Sequence, residues 1–163
     1  ENVWGHIIRW KDNENHQSVH FRWDLFVLAG PGDGVDGSTV PASAAFGSPD
    51  GLWIDPAGRL WIQTDGSQPE DANDQMLCAD PATKETRRFL VGPKQCEVTG
   101  AFVTPDERTM FVGIQHPGER PDDKPADPAT PKAYSSFPDG DAGGRPRSAL
   151  IVITKDDGGV IGS

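Results

Sequence analysis

Short apolar phrases of strand length recur along this chain, and the turn signals between them leave little room for long helices. Trp4 to Trp10 is apolar and β-branched and runs into the polar Lys11-Asp12-Asn13-Glu14-Asn15. Phe21 to Leu28 mostly alternates and stops at Gly30-Pro31-Gly32-Asp33-Gly34. These two phrases are expected to pair as a hairpin with a long loop. The small, polar, Gly-rich stretch 30–47 then reads as a loop crossing between strands.

The pattern next repeats itself. Two apolar strands flank Asp55-Pro56-Ala57-Gly58, where Pro presets φ and Gly supplies a positive φ. A second copy begins at Glu97. Aligning Pro56 with Pro105, an offset of 49 residues, places Gly51 on Gly100, Trp53 on Phe102, Ile54 on Val103 and Arg59 on Arg108. Between the copies lies another hairpin, Met76 to Asp80 and Thr86 to Val91, turning around Pro81-Ala82-Thr83. Four strands per 40–50 residues is the period of a β-propeller blade. The expected fold is therefore all-β, a partial propeller of two to three blades, with a plain sandwich as the competing architecture. One blade spans about Phe46 to Val91; the next starts at Glu97 and takes its outer strand from Leu150 to Thr154. So few blades hardly close a ring, and the chain reads as one 1–163 segment of a longer propeller. Missing neighbours would leave apolar faces and strand edges bare, so self-association is also expected.

Composition sharpens this picture. Glycine and proline, 19 and 15 of 163 residues, are together about 21% of the chain, nearly double average usage. All seven prolines after Gln115 fall in 117–147, a Pro-rich stretch with almost no large apolar group, expected as a long surface excursion or partly disordered. The net charge of −10 argues against nucleic acid or an anionic membrane surface as partner. No apolar run approaches the roughly 18 residues of a spanning helix, so no membrane insertion is expected. Two cysteines, Cys78 and Cys96, are too few for a tetrahedral cysteine zinc site and could be paired or free.

Candidate chemistry concentrates at strand ends. Asp50 enters an inner-type strand, and Glu97 holds nearly the same place in the next repeat. In a propeller such entrances converge on the central channel, where carboxylates from successive blades can surround a hard cation needing about six to eight oxygens. On the motif alone Asp50 reads better as the turn residue of Pro-Asp-Gly, whereas Glu97, beside apolar strand residues, has no turn role. His116 ends the matching strand and could be a ligand, a phosphate contact or a structural group. Asp65-Gly66 reads as a turn. Glu70, Asp71 and Asp74 lack the calcium-loop spacing and read as a solvated run. Arg145 and Arg147 could grip an anion but suit solubility as well. Trp4, Trp10, Trp23, Trp53 and Trp61 are expected in the core or between blades. The chain holds no phosphate-binding glycine loop, serine elbow or His-Glu-x-x-His motif.

Several phrases in succession resemble the C-terminal part of the PhoX-type secreted alkaline phosphatases. They are Val3 to Trp10, Phe21 to Gly30, Ser48-Pro49-Asp50-Gly51-Leu52-Trp53, Cys96-Glu97-Val98-Thr99-Gly100 and Gln115-His116-Pro117-Gly118-Glu119, followed by Arg145-Pro146-Arg147-Ser148 and Gly158 to Gly162. The resemblance implies a phosphomonoesterase acting on small phosphate esters, built on a six-bladed propeller and using calcium and iron. It also implies a periplasmic or secreted protein exported by the twin-arginine route. Asp50 and Glu97 fall in matching motifs and are the expected metal ligands, with His116 as a substrate contact on the channel face. The family's iron-bridging cysteine belongs to an N-terminal part, and neither Cys78 nor Cys96 is assigned that role. The remaining blades would then supply most of the site, and this segment alone would be inactive. The competing reading is a non-catalytic, calcium-stabilised binding segment or a lactonase-like propeller hydrolase.

Overall fold

Leu60 to Thr64 is buried at every position, which a strand achieves only when both faces of its sheet are covered. In the computed structural model, which describes residues 2–120, 127–140 and 144–163, three antiparallel sheets provide that cover. Strands β1 (His6–Asp12) and β2 (Phe21–Leu28) form the expected hairpin. The middle sheet runs β3 (Pro49–Ile54), β4 (Leu60–Thr64), β5 (Gln75–Ala79) and β6 (Thr86–Val91) in chain order. The third holds β7 (Glu97–Val103), β8 (Thr109–Gln115) and β9 (Ala149–Thr154). No α-helix occurs among the described residues, and none of their helices is long and apolar enough to cross a membrane.

Period-two alternation distributes β4 and β5 between two cores. Leu60, Ile62, Leu77 and Ala79 pack with Ile7, Phe26, Val27 and Phe46 on one side. Trp61 and Met76 pack with Val98, Met110, Val112 and Ile114 on the other. The sheets are thus stacked face to face and are not closed into a ring. The sequence repeat is carried into the backbone: both inner hairpins break register at equivalent places, between Pro49 and Leu52 and between Val98 and Ala101. At the 49-residue offset Glu97 corresponds to Ser48, and Asp50 to Thr99. The two acids therefore stand two positions apart along equivalent strand entrances.

Two expectations change here, and two open readings are decided. Trp61 is wholly buried, but Trp10 and Trp23 are 66% and 62% exposed and directly paired across β1 and β2. They lie on one face of the hairpin with Ile8, Phe21 and Leu25, all of them exposed among the described residues. The Pro-rich stretch is not wholly external, since Phe137 packs against the second core and Arg147 N donates to Phe137 O at 3.2 Å; residues 121–126 and 141–143 of it lie outside the described residues. Arg147 is also engaged, its Nη2 donating to Asp139 Oδ1 at 2.8 Å. Both cysteines are free thiols, pushed up by burial to about 11 for Cys78 and about 12 for Cys96.

The turn before β4 is tied to the interior by charge. Asp55 is buried; its Oδ2 accepts from Trp61 Nε1 at 2.8 Å and Arg59 Nε at 2.7 Å, and its Oδ1 from Arg59 N at 2.9 Å. Arg59 Nη2 reaches on to Ile161 O at 2.9 Å, fastening the C-terminal turn. Burial by itself would raise the Asp55 pKa, but the hydrogen bonds from Trp61 and Arg59 outweigh it and hold the carboxyl below its usual value. A depressed folded-state pKa adds stability that is complete above the unfolded carboxylate value and lost as pH falls through the folded one. The thermal midpoint of the wild type is therefore expected to drop more steeply than that of Asp55→Asn on acidification from about pH 5 to 3. Parallel curves would deny Asp55 this role.

Candidate metal centre

Three strand termini from two sheets meet at one end of the stack. Asp65 follows β4, and its N–H donates to Ser48 O at 3.2 Å, which ties the strand exit to the loop entering β3. Glu97 is the first residue of β7 and stands opposite Gln115 of β8. His116 comes next, at a φ of 35°, a left-handed conformation costly for a residue with a bulky side chain. Bonds on both sides hold it there: His116 N donates to Ser148 Oγ at 3.0 Å, while Gly118 N and Glu119 N donate to Lys94 O and Gln95 O at 3.0 and 3.1 Å. These ties fold the residues after β8 back onto those before β7, and so bring His116 beside Glu97.

One ligand atom each of Asp65, Glu97 and His116 lies within 4.8 Å of the others. His116 Nε2 is 3.3 Å from Glu97 Oε2. Its Nδ1 is buried and 2.9 Å from Glu119 Oε2, yet lies out of line for a hydrogen bond and has no such partner. Glu97 is 8% exposed. Burial, more than any other cause, raises its pKa; the Asp65 and Asp50 charges push the same way, and His116 opposes them. Acids are thus gathered round one imidazole, with Glu97 largely shielded from water. This donor set fits a cation that accepts both imidazole and carboxylate, as iron does, better than calcium, which takes oxygen ligands. Three protein ligands would leave positions open for water or substrate.

Beside the triad is a cavity of about 470 Å³ lined by polar groups, among them Asp65, Gln68, Asp74, Gln95, His116 and Glu119. Of the residues singled out from the sequence, Glu97 and His116 come together. Asp50 is exposed on β3, near enough for its charge to act on Glu97, and its carboxylate is outside the three-atom group. Asp65, read as a turn residue, is the member that sequence reasoning missed. A signal was present: with one residue inserted in the second turn, Asp65 corresponds to Gln115, next to His116, so the two strand exits could have been compared. Glu70 and Asp71 are exposed, as the solvated-run reading expects, but Asp74 departs from it, being 8% exposed and hydrogen-bonded to Thr64, Gly66 and Gln68.

A family model described as alkaline phosphatase PhoX matches residues 1–118. Among solved structures, one of Pseudomonas fluorescens PhoX, in complex with vanadate, a transition state analogue, is similar over 98% of this chain, with 46% sequence identity and a TM-score of 0.82. The chain spans 28% of that protein's length. No match was found among curated proteins.

Proposed function

Because this chain belongs to the alkaline phosphatase PhoX family, we propose that it is the C-terminal blade segment of a metal-dependent phosphomonoesterase. In this reading Asp65, Glu97 and His116 hold a cation at the reaction centre. The observation that carries it is Glu97, a buried acid facing further acids and one imidazole. Such a group is costly to keep ionised without a compensating positive charge. A bound cation would supply charge against the phosphoryl oxygens and lower the pKa of a coordinated water.

The chain's own residues have separable tasks. Asp65 and Glu97 bring negative charge from two different sheets, so the spacing between the sheets sets the spacing between the ligands. His116 offers Nε2, 3.3 Å from Glu97 Oε2, which favours a ligand role over a phosphate contact. Asp50 adds charge at the strand entrance and suits an all-oxygen calcium site shared with other parts of the protein. No residue here is assigned as general base. The vanadate-bound relative supports phosphate monoesters as the substrate class. Iron and calcium as the metals, periplasmic or secreted localisation by twin-arginine export, and a six-bladed ring completed by N-terminal blades all follow from the family reading. Without those blades the segment lacks most of its ligands and is inactive, and its bare aromatic face favours self-association.

The test is metal removal from the full natural chain. Dialysis against a chelator is expected to abolish nitrophenyl phosphate hydrolysis at alkaline pH, and iron with calcium to restore it. Undiminished turnover after verified metal removal would overturn the proposal.

A further inference from the structure

Behind Asp65 lies a buried polar knot that no step so far has used. Asp74, just before β5, directs a single carboxylate oxygen at three donors. Its Oδ1 accepts from Thr64 Oγ1 at 2.6 Å, Gly66 N at 3.2 Å and Gln68 Nε2 at 2.9 Å. Thr64 and Gly66 are the two chain neighbours of Asp65. Thr64 Oγ1 in turn accepts from Gln75 N at 2.9 Å, which anchors the knot in β5. Gln68 closes the other side: its Nε2 also donates to Gly47 O at 3.0 Å, and its Oε1 accepts from Gly47 N at 3.0 Å. Gly47 tolerates no larger residue, since a Cβ there would run into Ser67 O.

We infer that Asp74 is a positioning residue for the metal centre, holding Asp65 in register with Glu97 and His116 through Thr64 and Gly66, with Gln68 locking the same loop to the entrance of β3. The inference rests on the reading of Asp65, Glu97 and His116 as a cation site. Its physical basis is the position of Asp65 past the end of β4, where a single backbone bond, Asp65 N to Ser48 O, is all that continues the sheet. An exposed carboxylate on a loose strand end loses conformational freedom when it binds a cation. Bonds to the residue on either side remove that freedom in advance, as outer partners of metal ligands do elsewhere. Since all three donors meet one oxygen, an amide carbonyl in its place can keep them, whereas alanine cannot.

The experiment measures Mn(II) binding to the metal-stripped full natural chain by electron paramagnetic resonance. Asp65→Asn and Glu97→Gln first identify the binding step that belongs to this site. Asp74→Ala is expected to weaken that step by about 10- to 100-fold, and Asp74→Asn to restore most of the loss. Circular dichroism without metal checks that each variant is folded. If Asp74→Ala does not fold, Thr64→Val breaks the same link at similar side-chain volume and is expected to weaken Mn(II) in the same step. Wild-type affinity in the folded Asp74→Ala, or in Thr64→Val where that variant is needed, would overturn the positioning role, as would Asp74→Asn failing to restore binding. If neither Asp65→Asn nor Glu97→Gln alters any Mn(II) step, the cation site itself is wrong and the inference falls with it.

Discussion

Glu97→Gln in the full natural chain is expected to lower phosphate monoester turnover by on the order of 100-fold or more, because losing a ligand should cost at least as much as losing an outer partner of one. The substitution keeps the size of the side chain and removes its charge, so loss of fold is not the expected cause. A second readout separates the two. The pKa of Glu97 is raised in the folded state, so its contribution to stability is present at low pH and declines as pH rises through the interval between the ordinary and the raised value. Above that interval the ionised carboxylate is a burden in metal-free protein, and glutamine is not. Metal-free Glu97→Gln should therefore melt higher than the wild type at neutral pH, with the difference vanishing in acid. A site that trades stability for function behaves in this way. Asp65→Ala should also cost more activity than Asp50→Ala, since Asp65 has a ligand atom in the triad and Asp50 acts at longer range. Wild-type turnover in Glu97→Gln would remove it from the site, and the reverse order of the two aspartates would remove Asp65.

Trp61→Ala is expected to destabilise the fold by about 3–5 kcal/mol, the range for truncating a buried tryptophan. Trp61 is completely buried on β4, meets the edge of Phe89 with ring centroids 4.8 Å apart, and donates its Nε1–H to Asp55. Its removal leaves a cavity between two sheets and takes a donor from a buried carboxylate. Trp10→Ala is the control, because Trp10 is mostly exposed and its truncation should change stability by no more than about 0.5 kcal/mol. Urea unfolding of both variants provides the comparison. Similar losses would mean that the middle layer is not where the stability resides.

What could be read from the sequence and what could not divides along a physical line. The hairpins were legible because each depends on neighbours in the chain: Asp55-Pro56-Ala57-Gly58 turns wherever it is placed, and the short apolar run that starts at Leu60 has the length of a strand. The 49-residue repeat was legible for the same reason, down to equivalent register breaks. Glu97 stood out because an acid at an apolar strand entrance has no turn role, and His116 because it ends the strand paired with that entrance. Asp65 has one, since Asp-Gly is turn chemistry, and that explanation concealed its other role. Asp74 sat in a polar run that reads as solvated until Thr64, Gly66 and Gln68 close round it. Trp10 and Trp61 look alike as strand tryptophans, yet one is bare and the other is enclosed by two sheets. Strand period and turn type are set within a few residues, so the amino-acid sequence determined the elements and their order. Burial and the meeting of ligands depend on which sheet face packs on which, and that was decided only by the tertiary structure, where residues distant in the chain share one low-dielectric space.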